Sequence, residues 1–195
     1  MLSSAAAVNL LFRDDIMSNI YKLPPFVGPM FDQTAAKFVQ LVENAVFAGK
    51  RVVRVLEVGA GTGRFSALLG QALLDAKLDE KCYVDYVCTD LSVSLAQEST
   101  AKSPWMAMTP MAFNLNLPIE HQNLDAASFD VIVAFDVLHA TSSIHNSLIT
   151  LHDLLLPGGH LVVIELDGYS FATGAIGTIC GHLFRSSSVS FNDPF

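Results

Sequence analysis

The chain has 195 residues, which suits one domain with a sizeable core. Of these, 51% are hydrophobic and only 15% charged, a rich core under a thin polar coat, and the net charge is −8. The negative balance argues against nucleic acid and anionic membranes as partners, and no stretch approaches the roughly 20 apolar residues of a membrane span.

Residues 1–31 contain Asp14-Asp15, Pro24-Pro25, Gly28 and Pro29 and read as an N-terminal cap with a loop. The apolar patch in MLSSAAAVNLLF follows no basic residue, so an ordinary apolar segment is preferred to a signal peptide. Asp32 is placed as the N-cap of a helix in which Ala35, Phe38, Val39, Val42, Ala45 and Val46 keep helical spacing, ended by Ala48-Gly49-Lys50.

Next, Val52, Val53, Val55, Leu56 and Val58 form a short β-branched run that suits one buried strand. It ends in Gly59-Ala60-Gly61-Thr62-Gly63, and Phe65, Leu68, Leu69, Ala72 and Leu73 then recur at helical spacing. Strand, glycine loop and amphipathic helix make the first half of a nucleotide-binding βαβ unit. The dinucleotide fingerprint needs glycine at position 64, where this chain has Arg64. Glu57, at the mouth of the loop, suits a cationic ligand better than a pyrophosphate. S-adenosylmethionine (SAM), with a sulfonium, an ammonium and no phosphate, meets that description, and Glu57, Gly59, Ala60, Gly61 and Gly63 are its candidate contacts. The alternative is a tight strand-to-helix turn with no ligand.

Tyr83 to Cys88 reads as a second strand running into Thr89-Asp90, where a carboxylate can accept from both ribose hydroxyls. Asp90 can equally cap the following helix with Ser92. Met106, Met108, Met111 and Ala112-Phe113 suggest a third strand of core methionines. Asn114, before Pro118, is either a ligand amide or a turn residue. Val131 to Phe135 is apolar throughout, as a central parallel strand should be. Ile144, Leu148, Leu151 and Leu155 then mark a helix with one buried face, stopped by Leu156-Pro157-Gly158-Gly159, and Leu161 to Ile164 is the fifth strand, ending in Glu165. Residues 168–195 are apolar and glycine-interrupted, with no clear strand pattern. Cys82, Cys88 and Cys180 are odd in number and lack metal-ligand spacing, which points to reduced thiols in a cytoplasmic setting. The spacings of His121, His145, His152, His160 and His182 suggest no metal site.

LEVGAGTGRF resembles motif I of the class I SAM-dependent methyltransferases. Thr89-Asp90-Leu91-Ser92, the DVLHAT at 136–141 and the LLLPGGHLVVIE at 154–165 narrow the resemblance to the C-methyltransferase domains of fungal highly reducing polyketide synthases. The resemblance implies an α/β, Rossmann-like fold: a mostly parallel sheet with helices on both faces, here short of the last edge strands. It divides the chain into the cap (1–31), a SAM-binding core (32–167) and a C-terminal segment (168–195) that reads as truncated. It also implies that Asp90, Leu91, Asn114 and Leu115 line the cofactor site, with Asn114 where the family has aspartate. Asp136 stands where the family pattern "NVLHAT" has asparagine and adds negative charge near the sulfonium. His139 is implied as the base and Glu165 as its assisting acid, unless His139 only caps a strand–helix junction and Glu165 is a solvated strand end. The expected reaction is C-methylation of a β-ketoacyl thioester, with a carrier protein or the rest of a megasynthase as partner. Methylation of oxygen or nitrogen on a small molecule, or an inactive SAM-binding remnant, are the alternatives.

Overall fold

The computed structural model describes residues 28–165 other than Met106. The elements in chain order are α1 (Gly28–Phe47), β1 (Val52–Val58), α2 (Arg64–Asp75), β2 (Tyr83–Asp90), α3 (Val93–Lys102), β3 (Met108–Ala112), β4 (Phe129–Phe135), α4 (Ile144–Leu154) and β5 (Leu155–Ile164). Short 3₁₀ turns lie at Leu78–Glu80, Ile119–His121 and Leu138–Ala140. The five strands form one sheet in the order β3-β2-β1-β4-β5, and every pair is parallel. Strands one to three step outward in one direction and strands four and five in the other. The topological switch point therefore lies between β1 and β4, at the carboxyl ends of the strands.

Central strands explain the apolar runs. All of β4 except Phe135 is buried, and so is β1 from Val55 to Val58. Because side chains alternate across a strand, β1 feeds two cores. Val53 and Val55 pack with Phe38 and Val42 of α1 and Leu69 and Leu73 of α2 on one face. Leu56 and Val58 pack with Leu151 and Leu154 of α4 on the other. Each such fully buried aliphatic or aromatic side chain contributes about 1.5–3 kcal/mol, and helices cover both faces of the sheet. At the amino end of the strands, Asp130 binds the Lys50 ammonium and accepts from the Arg54 N–H at 2.9 Å. Arg54 also pairs with Asp85 at 2.9 Å.

Three expectations shift. The first helix begins at Gly28, so Asp32 is an exposed residue within it and not its N-cap. Pro29 is tolerated there because the first turn leaves its backbone N–H groups without intrahelical partners. The buried face of α4 consists of Ser147, Leu151 and Leu154, while Ile144 is half exposed. The cause is that Leu155 does not end the helix but pairs with Phe129 as the start of β5. Pro157-Gly158-Gly159 accordingly lies inside that strand, where the register slips before resuming at Val131–His160. Residues 28–31 of the expected N-terminal cap belong to α1, and the rest of the cap, the C-terminal segment and the expected lack of edge strands fall outside the described residues.

Candidate active site

The glycine loop leaves β1 with Gly59 at φ 70°, Gly61 at φ 53° and Gly63 at φ 77°, a left-handed path that side chains resist. At Gly63 a Cβ would come within 2.6 Å of the Ser99 backbone. At Gly59 it would collide with the side chain of Val137. Neighbouring elements pin the loop. The Ala60 N–H donates to the Thr89 carbonyl at 2.9 Å, and the Gly61 N–H to Asp90 Oδ2 at 3.0 Å. Ser99 and Lys102 of α3 donate to the carbonyls of Gly61 and Thr62 at 3.2 and 2.9 Å.

The second group hangs from the carboxyl ends of β4 and β5. The Asp136 N–H donates to the Ile164 carbonyl at 2.7 Å, and Asp136 takes φ 56°. The chain then winds through Val137 into the turn bearing His139. Glu165 Oε1 accepts from the N–H groups of Val137 at 3.0 Å and Leu138 at 2.7 Å. Its other oxygen, Oε2, lies 2.8 Å from His139 Nδ1, and Asp136 Oδ1 lies 3.5 Å from the same nitrogen. The hydrogen bond to Glu165 raises the imidazole pKa, burial opposes the rise, and the charges of Asp136 and Glu165 add to it. Burial pushes the Glu165 carboxyl up. The His139 hydrogen bond, the two backbone donors and the imidazolium charge outweigh that and leave it below the ordinary carboxylate range. A carboxylate locked by two backbone donors and facing one ring nitrogen fixes the tautomer and leaves Nε2 available for proton transfer. The donor atoms of Asp136, His139 and Glu165 lie within 4.8 Å of one another. The 2.8 Å imidazole–carboxylate contact between two of them is the spacing of a shared proton.

The general methyltransferase-domain family model matches residues 56–161, from β1 to β5. The chain belongs to the methyltransferase family. Highly reducing polyketide synthase stpks1 of Strobilurus tenacellus is 34% identical over 168 residues, covering 86% of this chain and 6% of that protein. This methyltransferase domain thus spans a small part of the length of the curated relatives it matches. The citrinin polyketide synthase CMeT domain has a similar fold, with a TM-score of 0.66 and 26% identity over 83% of this chain and 42% of that one. The trans-methyltransferase CalH in complex with SAH gives a TM-score of 0.63 at 25% identity, again over 83% and 42%. The family and fold expected from the motifs hold in these comparisons.

The methyltransferase domain brings Gly59, Ala60, Gly61, Gly63 and Asp90 together at the switch point. His139, Glu165 and Asp136 gather beside them, joined through the packing of Val137 on Gly59. One predicted contact sits differently from the expectation. Glu57 is not at an open loop mouth: it is 1% exposed, on the Val55 side of β1, and accepts from the Tyr86 hydroxyl at 2.9 Å. Burial drives its pKa up to about 7, against the hydrogen bonds from Ser66, Tyr86 and Cys88. Asp90 also accepts the Ser92 N–H at 3.0 Å, so it supports the start of α3 as well as the loop. Asn114 Oδ1 accepts the Asn116 N–H at 2.9 Å, the turn role, which leaves it one lone pair for any ligand donor. Leu115 is buried in the second core, whereas Leu91 is 70% exposed.

Sequence reasoning missed several supports. Gln122 accepts from the Asn114 N–H at 2.7 Å and donates to the carbonyls of Asn114 and Leu117 at 2.9 and 2.8 Å, clamping that loop. A polar residue just after a 3₁₀ turn carries no pattern that would reveal this. Tyr86 as partner of Glu57 was legible in principle, since parallel pairing of β1 with β2 sets Glu57 beside Cys88 and Tyr86 two residues earlier. Among the described histidines, His121, His145, His152 and His160 are all exposed.

Proposed function

We propose that this domain is a SAM-dependent C-methyltransferase acting on the α-carbon of a β-ketoacyl thioester, presented by a carrier within a polyketide megasynthase. The observation that carries the reading is the His139–Glu165 pair at 2.8 Å, beside a glycine loop that has Arg64 where the dinucleotide fingerprint needs glycine. The relatives named above support the same reaction class.

When bound, SAM supplies an already activated methyl group, so the protein's task is to orient the acceptor and make its carbon nucleophilic. His139 Nε2 removes the proton between the two carbonyls, which a β-keto thioester releases readily enough for an imidazole. The electron pair left on the acceptor carbon would then take the donor's methyl group, and the proton stays on His139. Glu165 supports the imidazolium that results. Gly59, Ala60, Gly61, Gly63, Asp90, Leu91, Asn114 and Leu115 are the groups assigned to hold the cofactor, Asp90 toward the ribose and Asn114 toward the adenine. Glu57, buried against Tyr86 at the end of β1, holds the strand from which the loop departs.

The test is methyl transfer from labelled SAM to a β-ketoacyl thioester mimic, with the site of the label read by mass spectrometry. His139→Ala is expected to keep SAM binding by calorimetry and to lose 10²–10⁴-fold in turnover, the usual size of a lost general base. Unchanged turnover would remove the base assignment, and a label on oxygen or nitrogen would remove carbon methylation.

A further inference from the structure

Two carboxylates address one nitrogen of His139 from different strands. Glu165, at the end of β5, lies 2.8 Å from Nδ1, and Asp136, at the end of β4, lies 3.5 Å from it. The polyketide pattern that the motif resembles has asparagine where this chain has Asp136, which keeps the shape and lacks the charge. We propose that Asp136 is a positioning residue for His139: a second anion that keeps the ring proton on Nδ1 and makes the base come into play at a higher pH than Glu165 alone would set. The proposal rests on His139 being the base.

Geometry supports a role beyond the turn. Asp136 sits at φ 56°, a left-handed conformation that aspartate and asparagine tolerate about equally, so the backbone does not require a carboxylate. Its side chain is 14% exposed and that of His139 22%, so the charge is only partly screened. The charges of Asp136 and Glu165 both act on the imidazole. Both favour its protonated form, in keeping with the direction of its shift. The spacing also makes the roles unequal. Glu165 is within hydrogen-bond distance and sets the orientation, while Asp136 acts through space.

The experiment uses Asp136→Asn, which preserves turn and volume and removes only the charge. In the cofactor-free protein labelled with ¹⁵N-histidine, the His139 resonance, assigned by its absence from His139→Asn, is titrated in wild type and variant. A unit charge at this distance from a half-buried group predicts a midpoint about one pH unit lower in the variant. The acid limb of kcat/KM should move down by a similar interval, giving roughly tenfold more activity below the wild-type midpoint. A purely structural Asp136 would leave both midpoints in place. A midpoint that is unchanged or higher overturns the proposal, as does a wild-type spectrum with the proton on Nε2, which needs no variant to fold. A shifted titration in a protein that methylates nothing would count against the proposed function and leave the coupling intact.

Discussion

Replacing Glu165 by glutamine should disable the site by reversing the imidazole. The two side chains have nearly the same shape, but the amide has one acceptor end and one donor end. In the native site, Oε1 accepts from the Val137 and Leu138 N–H groups at 3.0 and 2.7 Å, while Oε2 faces His139 Nδ1 at 2.8 Å. Glutamine must place its oxygen against the two backbone donors, because its NH₂ there would confront two N–H groups with no acceptor between them. Leaving a buried donor unsatisfied costs about 1–3 kcal/mol, so the orientation is decided. The NH₂ then points at Nδ1, which must accept, and the ring proton moves to Nε2, the atom proposed to take the substrate proton. Wrong-tautomer substitutions of this kind in histidine–carboxylate pairs lower kcat by about 10⁴-fold. Here Asp136, which also favours a proton on Nδ1, softens the expectation to a loss of about 10³-fold. The assay is single-turnover methyl transfer with SAM affinity measured in parallel. A variant that binds SAM and retains more than a tenth of wild-type turnover would refute the tautomer argument.

Two further outcomes follow from the same contacts. Glu57 is fully buried with its pKa raised to about 7, so wild-type stability attributable to it is complete below about pH 4.5 and declines as pH rises through 7. Glu57→Gln should therefore gain on wild type with rising pH, by up to about 3 kcal/mol above pH 8, and the gain should vanish near pH 4; urea midpoints across that range test it, and a pH-independent difference would contradict the burial of a neutral acid. Gly59→Ala should destabilise the fold by about 1–3 kcal/mol, because the left-handed φ of 70° and the Val137 side chain both oppose a methyl group. It should also lower kcat and not only SAM affinity, since displaced Val137 pulls its N–H from Glu165; a variant with altered SAM affinity and normal kcat would break that link.

The sheet was legible because its strands are short, β-branched and separated by helical periods, which is what buried parallel strands require. The glycine loop and the DVLHAT turn were legible because unusual backbone and chemically specific residues lie close together in sequence. Element ends were less so. The switch from α4 to β5 at Leu155 depends on pairing with Phe129, a partner 26 residues away that no local window contains. Glu57 was placed at the loop mouth from its proximity to the glycines. The alternation that turns it toward Tyr86 needed the identity of the neighbouring strand. Asn114 shows the opposite lesson: its turn role was visible locally, while the Gln122 clamp that holds its backbone was not.

The contact between Gly59 and Val137 bears most on how the two halves of the site cooperate. Val137 lies one residue after Asp136 and two before His139, and its backbone N–H is one of the bonds that orient Glu165. A displacement of the glycine loop would therefore reach the residue whose N–H helps to set the carboxylate, and hence the imidazole. Packed interiors transmit such displacements because they have little free volume to absorb them. The absence of a side chain at Gly59 therefore serves both halves at once: it lets the backbone approach a ligand, and it lets the loop that carries the base lie directly on the loop proposed to hold the methyl donor.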